Sequence, residues 1–580
     1  MQLGQRSLKA LLDLTLYSPS RWFIRLFASI GRVILFMINL EKALAGRRIL
    51  IVDDLVEARS SLKKMATILG GDNIDVATDG IEAMQRIHEN EYDIVLSDYN
   101  LGRLKDGQQV LEEARFTQRL RATSLFIVIT GENAVDMVMG ALEYDPDGYI
   151  TKPYTLNMLK ERLIRIITIK EELRAANEAI DAEDYPLATK LCLNVLNKTP
   201  RLRLPASRML GQLLMRQKKF EQGLKVYSQL LNERSVSWAK LGQAICIYKL
   251  GDPNSALALL KRTLVDHPLY VQCYDWIARI LLSQGKPIEA QAALEKAIKI
   301  SPKAVLRQME LGRVAFENND LEVAEPAFKY AVRLGRYSCH KSVKNYLQFA
   351  RSAQALLKNP KDRQTKNKAN EAFRALDEIK QDYGDDENSL FEAAILESQT
   401  HHNMENQSES QRCANEAEEK LSKLSNPKTE YKLQMTEAFI DSDQTVKAQA
   451  LIAELKDLQL SDQQRSKLSR LDHDLNGEAL KRHSTSLNDE GVNHYERGEL
   501  EEAVIAFDQA TSYEQAGISV LLNSIQAKVS LMERDSPDKK ILKDTRVLLV
   551  RIGEISKTDD RFPRYARLRK TFDRLCRATQ

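Results

Sequence analysis

Short apolar runs recur through the first part of the chain, and stretches with helical spacing separate them. The runs are RILIVDD (48–54), IDVAT (74–78), DIVLSD (93–98), SLFIVITG (124–131) and GYITKP (148–153). Nearly continuous apolar runs rich in β-branched residues predict strands buried on both faces. The amphipathic stretches predict helices over 56–69, 79–90, 108–117 and 134–142, with a last one starting near Thr155. Strands alternating with helices in this way predict a parallel sheet covered on both sides. After Lys170 nothing reads as strand, and helix is expected throughout.

In a doubly wound sheet, ligands gather outside the carboxyl ends of the strands, where the strand order reverses. Asp53 and Asp54 end the first run, Asp98 the third, Thr130 the fourth and Lys152 the fifth. All would share one edge of the sheet. Clustered carboxylates repel unless a cation offsets them, and hard oxygen donors suit Mg²⁺. A lysine ammonium pairs with a carboxylate or a phosphoryl oxygen, and a threonine hydroxyl donates to such an oxygen. Singly, each residue has a plainer role: an Asp at a strand end caps the next helix, and a Lys before Pro is usually just exposed. Their convergence favours a site.

VDD (52–54), LSDYN (96–100), VITGE (128–132) and YITKP (149–153), in this order and spacing, resemble the receiver domain of bacterial two-component response regulators. The resemblance covers residues 47–170 and implies a flavodoxin-like, five-stranded doubly wound fold. It implies a phosphoacceptor at Asp98, which takes a phosphoryl group from a sensor histidine kinase or a histidine phosphotransfer protein. It also implies Mg²⁺ held by Asp54 and Asp98, with Asp53 assisting and the Asn100 backbone carbonyl completing the protein ligands. Thr130 and Lys152 would contact the phosphoryl oxygens, and Tyr149 would be the switch residue. The loop NLGRLKDG (100–107) is a residue longer than the commonest one in that family, with Leu101-Gly102 in place of Met-Pro.

Beyond the receiver, Pro200, Pro268 and Pro302 fall at multiples of 34 residues, and Ala188, Ala256, Ala290 and Ala324 keep the same step. A small residue (Ala176, Ala244, Ala278, Gly312) stands twelve positions before each alanine, with Gly211 and Gly223 supplying a pair slipped by one. Small residues let two antiparallel helices approach, and Pro ends the second helix. The pattern resembles tetratricopeptide (TPR) repeats, about five of them over 171–338. A further unit follows within 481–580, carried by Gly491, Ala503 and Ala510. Between them, 339–480 reads as divergent helical repeats, with Ala438 and Ala450 marking a decayed copy. Two polar stretches, 358–368 and 398–411, read as loops or disorder. The predicted architecture is thus an α/β receiver followed by an all-α solenoid.

Composition narrows the function. The net charge is +4 across 166 charged side chains, 85 basic and 81 acidic, so no strongly basic nucleic-acid surface is expected. The six cysteines are scattered without a C-x-x-C spacing and read as packed thiols in a reducing cytoplasm, so a cytoplasmic protein is expected. His401 and His402 lack a carboxylate or cysteine at a ligand-like spacing, which disfavours a metal site there. Residues 21–40 are apolar but carry Arg25 and Arg32, too charged for a clean span. They read as an amphipathic membrane-surface helix, as translation upstream of a true start at Met37, or as a segment packing on the rest of the chain. No phosphate loop, nucleophile elbow or zinc-protease motif occurs. The expected protein is therefore no enzyme beyond its own phosphorylation and dephosphorylation. It would act by protein binding through the TPR array, with an unidentified protein ligand. The alternative is a phosphate sink or kinase modulator that the array only localises.

Overall fold

The computed structural model describes residues 39–580, apart from 103, 132–144, 514–515, 536–537, 554, 557–558 and 579–580. The amphipathic stretch at 21–38, the helix expected over 134–142 and Glu132 lie outside the described residues. The chain folds as two compact units, Met1–Leu356 and Leu357–Gln580.

Among the described residues the first unit runs from a short helix α1 (Leu40–Leu44) through β1 (Arg48–Val52), α2 (Val56–Ile68), β2 (Asn73–Ala77), α3 (Gly80–Glu89), β3 (Ile94–Asp98), α4 (Gly107–Phe116), β4 (Leu125–Thr130) and β5 (Gly148–Thr151) to α5 (Leu156–Glu172). All strand pairs are parallel, in the order β2-β1-β3-β4-β5. The order reverses between β1 and β3, so the chain ends of these two strands flank the crevice. Alternate strand residues feed two cores. Ile49, Ile51, Ile94, Leu96, Ile127 and Ile129 pack on one face with α1, α2 and α5. Leu50, Val52, Val95, Phe126 and Val128 pack on the other with α3 and α4. The helix starts follow from capping chemistry: Asp79 accepts from the Ile81 and Glu82 amides, Asp106 forms a capping box with Gln109, and Thr155 accepts from the Met158 amide.

Residues 155–182 contain neither Gly nor Pro, which predicts a stiff junction. A single buried residue, Leu173, separates α5 from α6 (Arg174–Asp181). Nine more helices complete five antiparallel pairs: α7 (Tyr185–Lys198), α8 (Arg203–Arg216), α9 (Phe220–Glu233), α10 (Ser237–Lys249), α11 (Pro253–Asp266), α12 (Val271–Ser283), α13 (Pro287–Ile300), α14 (Val305–Glu317) and α15 (Leu321–Gly335). A last helix, α16 (Val343–Ala355), packs on α15. The repeating small residues do what their spacing implies: Ala176, Ala188, Ala244, Ala256, Ala278, Ala290 and Ala324 are all buried. Pro200, Pro268 and Pro302 each follow the second helix of a pair by two residues.

The second unit is helical throughout its described residues: α17 (Arg363–Asp382), α18 (Glu387–Asn403), α19 (Gln407–Lys423), α20 (Thr429–Asp441), α21 (Thr445–Lys456), α22 (Asp462–Glu496), α23 (Leu500–Ser512), α24 (Ile518–Asp535), α25 (Lys539–Ile552) and α26 (Phe562–Ala578). Two expectations fail here. Much of 358–368 and nearly all of 398–411 is helix, with only 404–406 turning between α18 and α19. Asp362 caps α17 by accepting from the Gln364 and Thr365 amides. Between α18 and α19, small buried hydroxyls replace apolar side chains. Ser398 Oγ donates to the Ser410 carbonyl at 2.8 Å, and Ser410 Oγ donates to the Ser398 carbonyl at 2.9 Å. These reciprocal bonds satisfy both groups at close helix approach, so a polar sequence packs as a core. The second failure concerns Ala450, which is exposed, whereas Ala448 is buried. The turn before α21 ends at Gln444, and that register turns Ala448 inward.

Candidate functional site

β1 and β3 end side by side and deliver their acidic residues to the switch point. Asp53 is 2% exposed and Asp98 7%, while Asp54 is exposed. One carboxylate oxygen from each of the three lies within 4.8 Å of the others. Lys152, from the end of β5, lies between two of them: its Nζ donates to Asp53 Oδ2 at 2.8 Å and to Asp98 Oδ2 at 2.9 Å. The peptide between Lys152 and Pro153 is cis. Burial pushes the Asp98 carboxyl up; the Lys152 hydrogen bond and charge pull it down, and the Asp53 charge raises it again. Burial lowers the Lys152 ammonium, but its bonds to Asp53 and Asp98 outweigh this and hold it protonated above its ordinary range.

The sequence shapes this corner locally. Leu55 N donates to Asp53 Oδ1 at 3.0 Å, which fixes that side chain where the chain leaves β1. After Asp98, the Gly107 amide donates to the Tyr99 carbonyl at 2.9 Å. A Cβ on Gly107 would lie 2.0 Å from the Asp98 carbonyl oxygen, so only glycine lets α4 begin this close to the site. Gly102 has φ +86°, a left-handed conformation suited to glycine, in the loop that carries Leu101-Gly102.

Thr130 is buried at the end of β4, beside β5, and its carbonyl accepts from the Lys152 amide at 2.8 Å. Tyr149 is partly buried against the α3–α4 face, and burial raises its phenol. Asn100 lies on the exposed loop just after Asp98. Asp53, Asp54, Asp98 and Lys152 are thus together, while Thr130, Tyr149 and Asn100 flank them on adjacent elements. A set of clustered carboxylates fits a hard divalent cation, with an exposed Asp54 on the open side.

Two features escaped the sequence. The solenoid lies against the loop that follows Asp98. Lys303 Nζ is 3.2 Å from Asp106 Oδ2 and 5.5 Å from the Tyr99 ring centroid. Gln109 Nε2 donates to the Leu334 carbonyl at 3.2 Å. On the far side of the sheet, Asp181 accepts from the Thr123 amide at 3.1 Å, and Arg208 pairs with Asp145 at 2.7 Å. Secondly, His401 does have partners: Glu409 and Cys413 of α19 bring ligand atoms within 4.8 Å of it. The α18–α19 hairpin folds them together, which sequence spacing alone concealed. Burial pushes the Cys413 thiol up to about 12 and His401 stacks on Phe373 at 4.4 Å, while Glu409 stays partly exposed and pairs with Arg412 at 2.8 Å.

The response regulator receiver domain family matches residues 49–164, and a tetratricopeptide repeat family matches residues 277–338. The chemotaxis protein CheY of Pseudomonas aeruginosa is 31% identical over 119 residues, which is 20% of this chain and 94% of that protein. Chemotaxis protein CheY-3 of Vibrio cholerae is 32% identical over 119 residues, covering 20% of this chain and 90% of its own length. The C-terminal part of a TPR repeat-containing protein from Cytophaga hutchinsonii aligns over 44% of this chain and 96% of its own, at 14% identity and a TM-score of 0.34. Through residues 49–164 the chain belongs to the response regulator receiver family, and TPR repeats follow the receiver. Among the described residues no helix is long and apolar enough to cross a membrane.

Proposed function

We propose that this response regulator accepts a phosphoryl group on Asp98 and that the phosphorylated state changes what its TPR array binds. An Asp98 carboxylate oxygen attacks the phosphorus of a phosphohistidine, on a sensor histidine kinase or a histidine phosphotransfer protein. The new P–O bond forms as the P–N bond breaks, and the imidazole leaves. Such transfer asks mainly for positioning and charge neutralisation. Lys152 supplies a cation beside the nucleophile, and Thr130 offers a hydroxyl to a phosphoryl oxygen. Asp53, Asp54, Asp98 and the Asn100 carbonyl would hold Mg²⁺, which neutralises phosphoryl charge when bound.

The observation that carries this reading is the Lys152 ammonium bonded to both Asp53 and Asp98 at the switch point of the sheet. The output half rests on the contact of Lys303 with Asp106 and Tyr99, because that loop begins one residue after Asp98. Thr130, drawn toward a phosphoryl group, would vacate space for Tyr149 to turn. The protein turns over no other substrate, and its targets are proteins. Labelling of the full chain by a small-molecule phosphodonor with Mg²⁺ tests the input step. Wild type should form a hydroxylamine-labile phosphate that Asp98→Asn lacks; full labelling of Asp98→Asn would place the phosphoacceptor elsewhere.

A further inference from the structure

Glu112 and His340 stand 228 residues apart in sequence, yet His340 Nε2 lies 2.8 Å from Glu112 Oε1. Glu112 belongs to α4 of the receiver, and Cys339 and His340 to the turn between α15 and α16. One donor atom from each of Glu112, Cys339 and His340 lies within 4.8 Å of the other two. The Phe116 ring meets the imidazole edge-on at 5.4 Å, and the Glu112 and His340 side chains are only 11% and 13% exposed. We propose that these three side chains form a site for a zinc-type transition-metal ion, which clasps receiver helix α4 to the end of the TPR array.

The donor types decide the class of ion. Thiolate, imidazole and carboxylate are the three common protein ligands of zinc, and three of them leave a fourth tetrahedral position for water. An ion pair between Glu112 and His340 has no need of a thiol, whereas Cys339 adds a soft donor that selects against Mg²⁺ and Ca²⁺. A thiolate and a carboxylate together carry the charge that offsets a divalent cation. The cluster is partly exposed, so an ion can enter and a water can fill the open position. It shares no residue with the hard-donor site at Asp53, Asp54 and Asp98, and it stands whether or not Asp98 is phosphorylated. By joining α4 to the turn after α15, a bound ion would tighten the solenoid on the loop next to Asp98.

Co²⁺ titration of the full-length protein in excess Mg²⁺ tests this. Magnesium occupies the aspartate site, and only thiolate ligation gives a cobalt charge-transfer band in the near ultraviolet. Wild type should bind one such Co²⁺ per chain. Cys339→Ser, a near-isosteric change, should lose the band. Glu112→Gln should keep it but bind at least about tenfold more weakly, since even indirect partners of a metal site cost that much. Cys413→Ser should behave as wild type. The proposal falls if wild type shows no thiolate band, if Cys413→Ser removes it, or if Glu112→Gln leaves affinity unchanged. Circular dichroism of each variant identifies any loss that comes from unfolding.

Discussion

Lys303→Ala probes the link between solenoid and receiver at a single point. The Lys303 side chain is 40% exposed and that of Asp106 13%. A pair with one well-hydrated partner is worth roughly 0.2–1 kcal/mol after solvent screening. The same ammonium lies 5.5 Å from the Tyr99 ring centroid, which adds about 0.5–1 kcal/mol. Removing both should cost the docked arrangement about 1–2 kcal/mol, or roughly 5- to 30-fold in the ratio of docked to undocked forms. Gln109–Leu334 and Glu112–His340 remain, so the effect should stay local. Lys303 lies in the turn before α14, so the substitution does not alter a helix interior. Amide exchange over residues 99–106 should accelerate by the same factor in Lys303→Ala, stay near wild type in Lys303→Arg, and be unchanged in the second unit. Equal exchange in wild type and Lys303→Ala would refute the claim that the solenoid restrains this loop.

Gly312→Ala and Gly477→Ala should have opposite signs. A Cβ on Gly312 would sit 2.7 Å from the buried Phe328 ring, which should cost about 1–3 kcal/mol by overpacking. A Cβ on Gly477, inside α22, meets nothing within 4 Å, so helix propensity should add about 0.5–1 kcal/mol; urea unfolding of the intact chain, followed by exchange in each unit, measures both. Burial and the neighbouring Glu437 and Asp474 push the Asp441 carboxyl up to about 6, against some relief from His402. A carboxyl raised on folding contributes stability below its unfolded value near 3.8 and loses it as pH rises through about 6. Asp441→Asn should therefore stabilise the second unit at pH 7, by on the order of 3 kcal/mol at most, and the gain should vanish near pH 4; a variant less stable than wild type at pH 7 contradicts this.

The sheet was legible because its central strands β1, β3 and β4 are buried on both faces, so continuous apolar runs such as those ending at Val52 and Asp98 stand out. The strand ends told which acids share an edge, since a parallel sheet sends every strand end the same way. In the solenoid, Ala188, Ala256 and Ala290 were visible because helix approach repeats at a fixed step. Ser398 and Ser410 were not, because a hydroxyl pair packs as a core without an apolar signature. Neither were Lys303 near Tyr99 nor His340 beside Glu112. Contacts made by the solenoid's return to the receiver leave no local pattern, and only the fold brings residues so far apart in sequence together.

On the proposed function, a phosphoryl group on Asp98 alters how the TPR array meets the receiver. Amide exchange over 99–106 and 300–340, with and without beryllofluoride and Mg²⁺, tests it most directly. In wild type, beryllofluoride should change exchange in both segments, and in Asp98→Asn it should change neither. Unchanged exchange over 300–340 in wild type, with Asp98 shown to be occupied, would contradict the claim and leave the array as a localising module.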